Sequence, residues 1–128
     1  MPEETPKELP IIQKTYDLIK WRVPIMERLP RTHRFTLGDR IIQELYSLLE
    51  SLIAARYTKI GRLSALRGLN ARLQVLRYQC RLLMDFELVS LKRYEYMHRQ
   101  INDIGQDLGG WIKQQQPQQQ PQQQPQPA

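Results

Sequence analysis

The 128-residue chain has very few of the side chains that metal and redox sites require. It contains one cysteine, Cys80, and two histidines, His33 and His98. One cysteine cannot form an internal disulfide, and this set is too small for a cysteine-based zinc site or a histidine-rich metal cluster. A glycine-rich phosphate loop is also missing, because neither Gly61 nor Gly68 belongs to the motif that ends in Gly-Lys-Ser/Thr. We therefore predict a protein that is not an enzyme and that uses no metal and no cofactor.

Long apolar runs are absent as well. No stretch approaches eighteen uncharged apolar residues, about the length that a membrane-spanning helix needs, so we expect no contact with the membrane interior. No apolar run follows a basic N-terminus, as it would in a secretory signal. Together with the lack of disulfide chemistry, these absences predict a cytoplasmic protein.

The two ends of the chain differ in composition from its centre. Residues 114–128 contain only Gln and Pro before a final Ala, and they offer too little apolar surface to offset the entropy of ordering. Residues 1–8 combine two prolines with mixed charge. We predict a disordered lead-in at 1–8, a single domain at 9–113 and a disordered Gln/Pro tail at 114–128.

Within the predicted domain, apolar residues recur at alternating intervals of three and four, which is the spacing of packed helices. No window shows the two-residue alternation of a strand. The pattern predicts an all-α, up-down-up-down four-helix bundle with short connections. The predicted seams of the first, third and fourth helices are Ile12, Tyr16, Ile19, Val23 and Met26; Leu66, Leu69, Leu73, Leu76, Cys80 and Leu83; and Tyr94, Met97, Ile101, Ile104, Leu108 and Trp111.

Several local features refine this prediction. Thr36 and Asp39 have the spacing of a capping box and are expected to open the second helix, whose wide apolar face suggests self-association. The fourth helix is expected to begin near Ser90. Gly105 and Gly109 lie four apart on that helix, where they could let a neighbouring backbone approach closely.

Positive charge is concentrated in the middle of the chain. Ten of the nineteen lysines and arginines fall between Arg31 and Arg81, where only three acidic residues occur. Arg77 and Arg81 lie one turn apart beside the leucine seam of the third helix, and arginine can bind phosphate through two parallel hydrogen bonds. This asymmetry favours a polyanionic partner, most simply nucleic acid. Two alternatives stay open: a solvated face that keeps the protein soluble, and salt bridges to acids on other helices.

The candidate residues for binding nucleic acid or a partner share a basic side chain in this central region. They are Arg77 and Arg81, then Arg67, Arg72, Arg56 and Lys59, which extend the positive field, and finally Arg31 and Arg34 in the connection between the first two helices.

Three blocks of sequence resemble a known family. Residues 29–41, LPRTHRFTLGDRI, resemble the signature of the accessory variability determinant family, bacterial four-helix-bundle proteins that accompany reverse transcriptases in diversity-generating retroelements. Residues 76–83, LRYQCRLL, and residues 104–112, IGQDLGGWI, agree with the same family. The resemblance covers nearly all of residues 9–113.

The resemblance implies a homopentameric barrel of four-helix protomers that has no catalytic activity of its own. It implies a basic surface that binds the cognate reverse transcriptase and RNA, or an RNA/DNA hybrid, and supports mutagenic copying of a template RNA. The family's arginine pair in the third helix corresponds to Arg77 and Arg81. The competing hypothesis is a structural protein–protein scaffold that does not bind nucleic acid.

Overall fold

The computed structural model describes residues 8–117, whose regular secondary structure is all helical, without a strand. Its four long helices are α1 (Pro10–Glu27), α2 (Asp39–Tyr57), α3 (Arg62–Asp85) and α4 (Leu91–Gln115). Helices that follow one another in sequence pack together, and α1 also packs against α4, which closes the bundle. The predicted all-α four-helix bundle is confirmed for these residues.

The core consists of the apolar seams that periodicity identified. All six predicted seam residues of α3 are buried, from Leu66 to Leu83, and so are Met97, Ile101, Ile104 and Leu108 of α4. Cys80 is one of these core residues, as predicted, and burial raises the pKa of its thiol to about 12. The thiol is therefore protonated near neutral pH and acts as a small apolar side chain.

The seam of α1 differs from the prediction in its orientation. Tyr16 is 54% exposed, whereas Thr15 and Arg22 are buried. The Thr15 hydroxyl donates to the carbonyl oxygen of Ile11 at 2.8 Å, so its polar group is satisfied within the helix. Arg22 is hydrogen-bonded to Gln100 on α4. Two polar residues can thus occupy core positions because each has an internal partner, and the tyrosine turns outward.

The predicted start of the second helix at Thr36 is wrong. The chain is already helical in the turn Arg31–His33, which has Pro30 at its N-cap, and a π-helical segment, Arg34–Gly38, leads directly into α2. Proline suits a helix start because its φ is fixed and it has no backbone N–H to leave unpaired. The Thr36 hydroxyl donates to the carbonyl oxygen of Thr32 at 2.8 Å and does not cap a helix.

The start of the fourth helix lies at its predicted position. Ser90 is the N-cap of α4, as expected, and its hydroxyl oxygen accepts from the backbone N–H of Arg93 at 3.1 Å. α3 begins at Arg62, after Gly61 with a φ of 76°. α4 continues through Gln115, two residues beyond the predicted domain end at 113. Residues 1–7 and 118–128, which include most of the predicted lead-in and tail, lie outside the described residues.

Candidate functional site

Arg77, the first of the predicted pair, is partly buried between α3 and α4. Its Nε donates to the Oδ1 atom of Asn102 at 3.3 Å. The guanidinium lies against Gly105, where an added Cβ would come within 2.8 Å of the Arg77 Nη2 atom. The sequence had suggested that Gly105 makes room for a neighbouring backbone. It makes room for the Arg77 side chain instead. A Cβ at Gly109 would meet no atom within 4 Å, so no neighbouring backbone approaches that glycine closely.

Arg81, the second member of the pair, is exposed near the end of α3. Its Nε is 4.0 Å from the Oδ2 atom of Asp85, one turn further along the same helix. Within residues 8–117, no carboxylate from another helix pairs with Arg77 or Arg81. The two arginines therefore differ: Arg77 packs against α4, and Arg81 extends into solvent.

The other predicted residues fall into two groups. Arg72 pairs with Glu44 of α2 at 2.8 Å, Arg56 pairs with Glu8, and Arg34 lies 5.0 Å over the ring of Phe35. By contrast, Arg31, Lys59 and Arg67 are exposed and have no ion-pair partner in the described part of the chain. The second group keeps its charge available to an external anion.

The predicted residues do not form one compact patch. His33 contacts Phe86 with 5.4 Å between ring centroids, so Arg31 and Arg34 lie at the end of the bundle where α3 finishes. Arg56 and Lys59 lie at the other end of α3, where α2 finishes. α3 has 24 residues and spans roughly 36 Å, so its basic residues connect two separate ends.

Arg62 has a structural role that the sequence did not indicate. Its Nε donates to the carbonyl oxygen of Ala55 at 2.6 Å and its Nη2 donates to that of Arg56 at 2.8 Å. These carbonyls belong to the last turn of α2, where no intrahelical donor is available. Arg62 therefore caps α2, and its guanidinium also lies 6.0 Å over the ring of Trp111.

An apolar stripe runs along the outer face of α3. It consists of Val75, Tyr78 and Leu82, together with Phe86 at the C-cap of the helix; they are spaced by three and four residues and are all exposed. We call these four residues the α3 stripe. The sequence had suggested an apolar excess on the second helix, where Ile42 and Leu49 are half-buried and Ile53 is exposed. Tyr46 and Tyr57 continue that face of α2 and are also exposed, so both helices carry an uncovered apolar stripe.

A basic cleft between α1 and the beginning of α4 was not predicted. It has a volume of about 450 Å³ and is lined by Trp21, Arg22, Ser90, Lys92, Arg93, Tyr96 and Arg99. We call it the α1–α4 cleft. Its lining contains four cationic side chains and no carboxylate. The two aromatic rings are open to solvent, since Trp21 is 64% and Tyr96 is 53% exposed.

Arg22 connects the two helices that form the cleft. The residue is only 5% exposed, and its Nε and Nη2 donate to the Oε1 atom of Gln100 at 3.1 and 2.7 Å. Its guanidinium carbon lies 5.1 Å from the centroid of the Tyr96 ring, and that of Arg99 lies 5.9 Å from the same ring. Burial lowers the pKa of Arg22, since it removes the charged guanidinium from water. No carboxylate within residues 8–117 pairs with this charge to offset the effect.

The described residues contain no group of three or more His, Cys, Asp or Glu side chains placed to hold a metal ion. Among the helices of residues 8–117, none combines the length and the apolar character that crossing a membrane requires.

A protein-family model described as bAvd-like matches residues 9–115, which include all four helices. The match confirms the resemblance to accessory variability determinant proteins that the three sequence blocks indicated. No curated protein matches the chain.

Proposed function

The chain belongs to the bAvd-like family, and on that premise we propose that it is a non-enzymatic accessory protein of a diversity-generating retroelement. It binds the reverse transcriptase of that element together with the template RNA, or an RNA/DNA hybrid, and supports mutagenic reverse transcription in the cytoplasm. The family match over residues 9–115 is the observation that carries this proposal.

The distribution of charge supports binding to a nucleic acid. The chain carries a net charge of +6, and the exposed side chains of Arg31, Lys59 and Arg67 have no anionic partner in residues 8–117. Arg81 is only loosely associated with Asp85, at 4.0 Å. Cations of this kind can exchange solvent counterions for phosphates, which is the main source of affinity between proteins and nucleic-acid backbones.

The α3 stripe supports self-association, and we propose the homopentameric barrel that the family resemblance implies. A protomer alone leaves Val75, Tyr78, Leu82 and Phe86 in contact with water. Contiguous exposed apolar residues are typical of protein–protein contacts, and a ring of protomers would cover the stripe of each with a neighbour. The ring would also repeat Arg81 around one assembly and thereby strengthen its positive field.

RNA binding can be tested with the variant Arg81→Ala. We expect weaker binding, and we expect the log–log dependence of affinity on salt to become shallower by about 0.7 for the lost phosphate contact. Fluorescence anisotropy with labelled single-stranded RNA measures both quantities. Helicity and melting temperature should not change, because Arg81 is exposed. Lys113→Ala removes one exposed charge near the other end of the bundle and serves as the matched control. An affinity of the unchanged protein that does not vary with salt would contradict the mechanism.

The alternative function is a structural scaffold that binds only proteins. It is favoured by the Arg72–Glu44 and Arg56–Glu8 pairs, which neutralise part of the central charge, and by the apolar α3 stripe. A mass measurement of the purified protein and a pull-down with the reverse transcriptase, each with and without ribonuclease, separate the two. A protein that assembles and binds the polymerase but never binds RNA is a scaffold.

A further inference from the structure

The α1–α4 cleft combines exposed aromatic rings and unpaired cations on one concave surface. Its aromatic rings, Trp21 and Tyr96, are exposed to solvent. Its cations surround these rings and are uncompensated, because Lys92, Arg93 and Arg99 have no ion-pair partner in the described residues. Exposed aromatic and cationic side chains thus line one concave surface.

The buried Arg22 adds an independent indication of an anionic ligand. Arg22 is only 5% exposed and so loses most of its hydration, and Gln100 supplies one acceptor oxygen but no negative charge. Buried charges are usually paired with an opposite charge or bind an ion. The cleft also lies at the N-terminus of the 25-residue helix α4, where the helix dipole favours an anion.

From this arrangement we propose that the α1–α4 cleft binds single-stranded nucleic acid, with a base stacked on Trp21 or Tyr96 and adjacent phosphates held by Lys92, Arg93 and Arg99. The inference rests on the proposed function in one respect, since it requires that the protein binds nucleic acid. It assigns that binding to residues outside the central basic region.

A single strand fits the cleft better than a duplex or an acidic protein surface does. Aromatic side chains stack on bases whose faces are free, and the faces are covered in a duplex. The carboxylates of an acidic protein could pair with the cations, but they would not stack on Trp21 and Tyr96 as a base does. The 450 Å³ volume lies within the range of sites that accept a small planar group.

Arg22 has a positioning role in this site. Its guanidinium is fixed by two hydrogen bonds to Gln100 and lies 5.1 Å from the Tyr96 ring. This cation–π contact holds the ring from one side. The Arg99 guanidinium lies 5.9 Å from the same ring, so a base stacked on Tyr96 would lie beside both cations.

Tryptophan fluorescence provides a direct test. Of the two tryptophans, only Trp21 lines the cleft, so a Trp111→Phe protein reports on Trp21 alone. Titration with an oligouridylate of about twelve nucleotides, a length within the usual site sizes, should quench this fluorescence saturably. A duplex of the same length should compete more weakly than the single strand.

Two variants of the full chain test the aromatic and the cationic contributions separately. Trp21→Ala should weaken oligouridylate binding by about 5- to 100-fold, measured by anisotropy, because it removes one stacking surface. Tyr16→Ala removes another exposed aromatic residue of α1 that does not line the cleft, and it should leave the affinity unchanged. Lys92→Ala/Arg93→Ala should lower the log–log salt slope by about 1.4, from two lost phosphate contacts.

The outcomes distinguish this inference from the proposed function. If the unchanged protein binds RNA but Trp21 is not quenched and Trp21→Ala binds equally well, the cleft assignment is wrong and the proposed function stands. If the unchanged protein binds no RNA, both fail. If Trp21→Ala keeps its RNA affinity but loses the polymerase, or changes the mass of the assembly, the cleft is a protein contact and the inference is overturned.

Discussion

The arginine-bearing flank of α3 and the α1–α4 cleft both concentrate positive charge, but they differ in how that charge is held. On α3, Arg72 pairs with Glu44, Arg77 packs against Gly105 and Arg81 approaches Asp85. Of the candidate arginines on this helix, Arg67 has no ion-pair partner within residues 8–117. In the cleft, no carboxylate lines the surface and two aromatic rings are exposed. A basic side chain with an internal partner contributes first to the stability of the bundle, whereas one without a partner is available to a ligand.

The two regions also differ in how they are encoded. The α3 flank is contiguous in sequence, so its charge is visible by counting residues. The cleft joins two segments that are distant in sequence: Arg22 and its partner Gln100 are 78 positions apart. A functional surface of the second kind exists only after the helices have packed.

The largest difference in stability is expected between the variants Arg62→Ala and Arg93→Ala. Arg62→Ala should lower the free energy of unfolding by about 1–3 kcal/mol, because the partly buried carbonyls of Ala55 and Arg56 lose their donor. Arg93→Ala removes an exposed side chain without an ion pair, and it should change the free energy of unfolding by no more than about 0.5 kcal/mol. Urea unfolding followed by circular dichroism measures both values. Equal losses would mean that the cleft arginine is also structural, and the distinction between the regions would not hold.

A pair of glycines on α4 tests how firmly Arg77 is held. Gly109→Ala should raise the free energy of unfolding by about 1 kcal/mol, because alanine favours a helix and the added Cβ meets nothing within 4 Å. Gly105→Ala should yield a smaller gain, because its Cβ would come within 2.8 Å of the Arg77 guanidinium and displace it.

The control for this prediction is Gly105→Ala in a protein that lacks the Arg77 side chain. In an Arg77→Ala background, Gly105→Ala should recover the full gain seen at Gly109, and a double-mutant cycle gives the interaction energy. If Gly105→Ala and Gly109→Ala stabilise the unchanged protein equally, Arg77 is not confined by α4 and belongs with the free cations.

The fold could be predicted from the sequence because burial of a helix follows from its own periodicity. The α3 seam from Leu66 to Leu83 is a local pattern, and it is buried as expected. The start of α4 at Ser90 is likewise a local signal, since a serine caps the N–H groups that follow it. These features need no knowledge of the neighbouring helices.

The site residues were less predictable because exposure of a polar side chain depends on its neighbours. Arg22 is buried although the predicted α1 seam did not include it, and its guanidinium finds its hydrogen-bond partner in Gln100 on α4. Tyr16 was predicted to lie in the α1 seam, but it is exposed and its neighbour Thr15 is buried. Gly105 could be recognised as a packing glycine, but not as the one that accommodates Arg77.

The smallest expected effect concerns Arg81, which lies between the arginines that the bundle holds and those that are available to a ligand. Asp85→Asn should change the free energy of unfolding by less than about 0.5 kcal/mol, because its pair with Arg81 is exposed and long, and because a carboxylate is unfavourable at the C-terminus of a helix. RNA affinity should rise by about twofold, since Arg81 loses a competing anion.

Glu50→Gln removes an exposed acid elsewhere on the bundle and controls for the change in net charge. An increase in affinity that Glu50→Gln reproduces would assign the effect to overall charge and not to Arg81. If Asp85→Asn instead destabilises the protein by more than about 1 kcal/mol, the pair is structural. Arg81 would then join Arg72 and Arg77 among the residues held by the bundle, and the α1–α4 cleft would become the main candidate for contact with nucleic acid.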